Sequence, residues 1–550
     1  MNNSKRLLSI LFIIAVAFTL ISVLPSPAQA IDNIPYLDAT GTIQYADNVN
    51  VLSSTGGTIT DGWYLLSGSM SINTNTLTIS GTVNLILEDN ANIRSQIIVP
   101  PGNTLTIYAQ STGENMGYLE ASGGGDGSAG IGGASSQNCG VITINGGSIT
   151  ATGQNGAASI GSGSRSAPDT VDNGGVITIN GGDIRAGSGL GTGIGGGNFS
   201  SGGIIIINGG TVTARGSARN AAIGGGENGA SGNITINGGT VNANNDGLYA
   251  TGIGSGYGAV SGNNNITIND GTVNAYSSGG AAIGFGINSA LGTITINNGT
   301  VIAVSDGSGA GIGGSGTGGG TITINDGIVD ATSNGNGAAI GGGTDGAGGI
   351  ITINNGTVNA TSNGGGAGIG GGLRGDGGTI LINGSTTQVT ATGGNLAQDI
   401  GAGQNGAQGN VFVALPQGNL KNDSGNIGNV VQFTASHPTS DTVTATLPTP
   451  FSKAVNLITG LTTTGTDMSV ITTFTTEEIE FGLSGYITNL DPITGDHLNT
   501  LNAEVAFTIP EIIIDTQPSS VTVLDGDISG NLVVAATLIP RDVSTLNYQW

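Results

Sequence analysis

A short run of the type "TITIN" returns along this chain at a near-constant interval, and that return constrains the fold more than any other feature. The Asn that closes it falls at Asn145, Asn180, Asn208, Asn237, Asn269, Asn297, Asn325, Asn354 and Asn383, at intervals of 35, 28, 29, 32, 28, 28, 29 and 29 residues. A second marker is the Ile of "AAIGGG" or "GAGIGGG". It falls at Ile131, Ile160, Ile194, Ile223, Ile253, Ile283, Ile312, Ile340, Ile369 and Ile400. Two independent markers sharing one period identify a repeat architecture.

Each unit reads as three extended runs separated by turns. In "TITIN", Ile322 and Ile324 fall on one face and Thr321 and Thr323 on the other, the period of a strand. "NGG", "NDG" or "NNG" follows at once and signals a turn. Then comes "TVNA", with Val as its inward residue. A Ser, Asn and Gly loop leads to "AAIGGG", where one Ile points inward. No helical pattern of ten or more residues separates the strands, which removes leucine-rich horseshoes and α/β folds. Three strands in about 29 residues form one coil of a right-handed parallel β-helix, an all-β solenoid. One coil offers roughly four inward aliphatics, too few to offset the ordering of its own backbone. Coils must therefore stack, with Ile on Ile. The nine Asn residues are expected to form a structural ladder at one corner.

The 105 glycines among 550 residues compare with an average usage of about 7%. Such richness often marks disorder, but regular Ile, Val and Thr exclude that here. Glycine serves corners that need φ > 0 or close backbone approach. Cys139 is the only cysteine, so no intrachain disulfide is available. The two His residues, His437 and His497, lie in another region, and Cys139 reads as a small buried residue.

Residues 1–30 read as a secretory signal peptide. Lys5 and Arg6 precede an apolar stretch from Leu7 to Leu24, and "SPAQA" ends at Ala30. No later stretch has the length to span a bilayer, so no membrane insertion is expected after cleavage. Removal of Lys5 and Arg6 leaves 9 basic and 35 acidic residues, 9 − 35 = −26. That balance repels nucleic acid and anionic membranes. The expected location is extracellular, secreted or associated with the cell wall or surface.

Residues 31–61 read as an N-terminal cap over exposed strand edges. Residues 62–414 hold the coils, the first of them less regular. Beyond Ala414 glycine thins out and Pro, Lys and Phe rise. Residues 415–510 read as a small, β-sandwich-like domain. "QPSSVTV" and "LNYQW", within 511–550, resemble the opening strands of a bacterial immunoglobulin-like domain. The chain stops at Trp550 in mid-domain, so it is expected to be the front part of a longer protein.

From Pro35 to Ala414 the chain resembles a family of bacterial exported proteins that share "WYLLSG", "LTIYAQSTG", "GAGIGGG" and "TITINGGTVTATGG"-type repeats. The resemblance implies a surface or secreted protein with immunoglobulin-like or wall-binding modules downstream and no assigned activity. A looser resemblance, through "ITINGGT", is to clostridial β-helix carbohydrate-binding proteins. Their acidic "GDGID"-type segments, tied to calcium, are here "NGAAIGGG" or "GGAGIGGG".

Enzyme chemistry finds few groups. A polysaccharide lyase needs a Lys or Arg base beside calcium-binding acids, and Ile31–Ala414 contains neither Lys nor His. A glycoside hydrolase needs two carboxylates facing one groove. Asp270 and Asp326 instead read as turn residues, and Asp183 with Arg185 as an outward ion pair. Recurrent "GxGxxG" patterns lack the Lys and the following helix of a phosphate loop. Outward Thr235, Thr267, Thr295, Thr323 and Thr352 form a flat hydroxyl row suited to polysaccharide. Tyr249, Tyr257 and Tyr276 are the candidates for sugar stacking. No cofactor is expected, Glu114, Glu120 and Asp126 being the candidates for a cation such as Ca2+. The expectation is a non-catalytic stalk or platform for adhesion or carbohydrate binding, its partner a polysaccharide or a host or cell-surface glycan. The alternatives are a lyase or hydrolase on a β-helix, and a pure spacer.

Overall fold

The computed structural model describes residues 30–414 apart from 53–55, 167–174, 188, 218, 317 and 384–385, together with short strands between 420 and 539. Apart from Ala30, the expected signal peptide lies outside the described residues.

One coil explains the rest. Thr321–Ile324, Ile328–Ser333 and Ile340–Gly341 are its three strands. Ile322, Ile324, Val329 and Ile340 are fully buried, as alternation requires, and Ala331 joins them. Asp326 turns the first corner by accepting the Gly327 N–H at 2.7 Å, and Asp270 does the same for Gly271. The next coil, Ile350–Ile353, Thr357–Ser362 and Ile369–Gly370, pairs in parallel with each strand in turn. The outcome is a parallel β-solenoid of the right-handed type. Its first face holds 14 strands, from Val49–Leu52 to Asn410–Ala414. A single core of Ile, Val, Leu and Ala runs along its axis.

The early coils are shorter. Trp63 pairs with Asn84 and Asn84 with Thr106, coils of 21 and 22 residues. There one strand, Asn92–Ile98, pairs with both Tyr118–Ser122 and Ile131–Gly132. From residue 118 onward a loop divides this continuous face into a second and a third face. Parallel stacking also begins at Val49, earlier than the expected residue 62.

The cap is an antiparallel hairpin, Ile34–Leu37 with Ile43–Ala46. Ile31 exchanges two backbone hydrogen bonds with Val49, covering the free edge of Val49–Leu52. The hairpin does more, because it lies over the outer side of the first face. There Tyr36, Trp63 and Tyr108 form a ring cluster with centroids 4.7–5.2 Å apart. Leu65 and Ile86 are buried beside them although they point away from the axial core.

The Asn ladder forms. The side-chain amide of each Asn from Asn180 to Asn354 donates to the carbonyl oxygen of the Asn one coil earlier, at 2.6–2.8 Å, back to Asn145. The side chain of Asn383 lies outside the described residues. All seven bonds point the same way, so each polarises the next. Asn297→Ala removes two of them and is expected to cost the middle coils about 1–3 kcal/mol. Amide hydrogen exchange should accelerate in Thr293–Ile296 and Thr321–Ile324, and unchanged exchange would remove the ladder from the stability account.

Sequence reasoning missed a second ladder. Ser277, Ser305, Ser333 and Ser362 are buried in register. Each hydroxyl donates to a backbone carbonyl of the preceding coil, Ala250, Gly280, Gly309 and Gly337, at 2.8–3.1 Å. These bonds satisfy buried carbonyls where the second face ends and the loop begins.

Beyond the solenoid, six strands between Thr442 and Val505 form a mixed sheet, and Glu511–Thr516 pairs antiparallel with Ala535–Ile539. The rest of the expected β domain and immunoglobulin-like segment, Trp550 included, lies outside the described residues.

Candidate functional site

The threonine row is real and continuous. Thr235, Thr267, Thr295, Thr323 and Thr352 stand on adjacent strands of the first face in strict register. Neighbouring strands lie about 4.8 Å apart. The first four are partly exposed, and Thr352 is buried at 8%. Hydrophobic residues bound the row, Ile206 before Thr235 and Leu381 after Thr352. A parallel outward row two residues upstream carries Asn233, Asn265, Thr293 and Thr321. Asn265 donates to Asn233 at 2.9 Å and accepts from the Thr293 hydroxyl at 2.8 Å.

The three tyrosines do not form one site. Tyr249 and Tyr257 meet edge to face at 5.6 Å. The guanidinium of Arg219 lies over both rings, 4.8 Å from Tyr257 and 5.8 Å from Tyr249. Glu227 anchors that guanidinium at 2.5 Å and raises its pKa further through the same hydrogen bond and its charge. The angle between the two rings is thus filled by the chain's own cation. Tyr276 stands elsewhere, outward on the second-face strand Thr272–Ser277. Its hydroxyl donates to Asp306 Oδ2 at 2.7 Å, and that bond, with burial and nearby carboxylate charge, pushes the phenol up to about 12.

The acidic trio also separates. Glu120 faces outward on Tyr118–Ser122 and pairs with Arg94 at 3.0 Å. Asp126 turns its own loop by accepting the Ser128 N–H at 3.0 Å. Glu114 stands exposed in a different corner. No group of three or more His, Cys, Asp or Glu converges among the described residues. Asp183 and Arg185 pair at 2.9 Å, the outward ion pair expected.

Cys139 is buried, and burial pushes its thiol up to about 12. It floors a shallow trough of about 500 Å³ along the corner where the third face returns to the first. The trough's rim is apolar, with Val141, Val176 and Ile204 in register. Nothing in the repeat pattern announces it, because it forms where outward positions of the first face happen to be aliphatic.

Comparison with known proteins supports the repeat. Residues 142–164, 205–227, 234–257, 266–284, 294–320, 322–344 and 351–373 match the family model described as Beta helix repeat. No curated protein and no solved structure matches the chain.

Proposed function

We infer that this β-helix repeat protein is an exported, non-catalytic platform whose flat faces hold an extended polysaccharide at a cell or host surface. The register of the outward rows carries the reading. Thr235, Thr267, Thr295 and Thr323 present one hydroxyl per strand along the solenoid axis, and Thr352 continues the register but is buried. Their spacing of about 4.8 Å is close to the rise of one sugar ring in an extended β-linked chain. Such a chain laid along the axis meets a hydroxyl at every ring, so many weak bonds add without any deep pocket. Glu120, Asp183 and Glu227 are engaged in ion pairs with Arg94, Arg185 and Arg219, and Asp126, Asp270 and Asp326 in turns, which supports a binding role over lyase or hydrolase chemistry.

The full chain should be retained on insoluble cellulose, xylan, chitin or mucin, and Thr295→Val with Thr323→Val should weaken retention several-fold while releasing no sugar at any stage. Wild-type protein that passes through all four matrices would overturn the reading and leave a spacer. Sugar release by the wild type would replace it with an enzyme.

A further inference from the structure

We propose a discrete glycan subsite on the second face, with Tyr276 as its stacking ring and a neutral β-linked pyranose chain as its ligand; it rests on the polysaccharide reading above but uses a different face.

The second face carries three outward rows. Tyr276 belongs to the last of them, between Asn244 and Val304, with Thr332 and Thr361 following in register. The adjacent row carries Asn242, Asn274, Ile302, Asp330 and Asn359. A chain laid along the axis therefore meets the ring, then the apolar pair Ile302 and Val304 one coil on, and then the polar pairs Asp330 with Thr332 and Asn359 with Thr361.

Tyr276 is held ready. Asp306 accepts its hydroxyl at 2.7 Å through one oxygen and accepts the Asn334 amide at 2.6 Å through the other. Asn363 in turn donates to Asn334 at 2.8 Å. Asp306, Asn334 and Asn363, on the three coils that follow, thus fix one partly exposed ring, so little side-chain freedom remains to be lost on binding. A plain packing role would not need that network on an outward position. On the same strand as the ring, Asn274 donates to Asn242 at 2.9 Å, and two to three coils further on Asn359 donates to Asp330 at 2.5 Å. Aligned amides and a carboxylate next to an aromatic ring suit a sugar, which shows C–H groups on one side and hydroxyls at its rim.

The charge selects among sugars. Asp246 and Asp306 both act on Tyr276, and Asp330 lies in the adjoining row. With a chain net charge of −24, acidic chains are repelled and neutral ones are not.

The test is affinity electrophoresis of the full chain through gels containing mixed-linkage β-glucan, xylan or galactomannan, with polygalacturonate as the acidic comparison. Tyr276→Ala should weaken retardation about tenfold, the scale of one lost stacking contact. Tyr276→Phe keeps the ring and should stay within about threefold of wild type. Tyr249→Ala should leave retardation unchanged. Each variant's melting temperature should match wild type, since the position faces outward. Retardation of wild type and Tyr276→Ala alike would overturn the subsite and leave the platform standing. Equal loss in Tyr276→Phe and Tyr276→Ala would overturn the stacking role, and retention by polygalacturonate alone would overturn the ligand class. Free migration of the wild type in every gel, with no retention on the insoluble matrices, would overturn subsite and platform together.

Discussion

Gly284→Ala is expected to cost about 2–6 kcal/mol, combining backbone strain with overpacking, and to open the middle of the solenoid. Gly284 belongs to a column on the third face, Gly254, Gly284 and Gly313 among its members, each paired with the same residue one coil away. Its φ is +142°, a conformation that L side chains rarely adopt. A Cβ there would lie 2.0 Å from the carbonyl oxygen of Gly313. That atom is backbone of the next coil and cannot rotate away. The two coils must separate or the strand must be lost. Gly187→Ala is the matched control, because nothing lies within 4 Å of its Cβ position and its φ is not positive. It should change stability by no more than about 0.5 kcal/mol. Thermal melting and hydrogen exchange on both variants decide the matter. Equal stability of Gly284→Ala and wild type would mean the third face is not stacked glycine on glycine.

Ile283→Ala is expected to cost about 2–5 kcal/mol, and Ile283→Val about 0.5–1.5 kcal/mol. Ile283 is fully buried and stacks between Ile253 and Ile312. Truncation leaves a void that rigid neighbouring strands cannot fill. Because each coil touches only those above and below, the damage should stay local. Exchange should rise in Ile253–Gly254 and Ile312–Gly313 and stay unchanged in Tyr118–Ser122. Ile328→Ala removes a comparable side chain from an outward position that is 49% exposed, and should be near neutral. A uniform loss of protection along the whole solenoid would instead show one global cooperative unit.

The parts of this molecule that were legible in sequence are those that obey a local rule. Ile322 and Ile324 alternate with Thr321 and Thr323, and burial follows that alternation. The corner Asn residues recur in each coil from Asn145 to Asn383, so their ladder is legible as a column in the sequence. The serine ladder was not, because Ser277, Ser305, Ser333 and Ser362 stand at the start of loops whose Ser and Asn content hides one buried position among several exposed ones. Glu114, Glu120 and Asp126 are close in sequence, yet Glu120 faces Arg94 on the preceding coil. Tyr249 and Tyr257 did meet, but Arg219 fills the angle between them, and Tyr276 belongs to another face.

Sequence alone determined the coil, its three strands and the need to stack, because a unit with so few inward aliphatics cannot hold itself together. Tertiary structure alone decided which outward side chains touch. Neighbours on a face are separated by a whole coil, from 28 to 32 residues between Ile206 and Leu381, and loop insertions of a few residues leave the inward pattern intact. The 30 residues between Tyr276 and Asp306 become one hydrogen bond only when two strands align in register, and strand alignment is a property of the stacked core rather than of either segment.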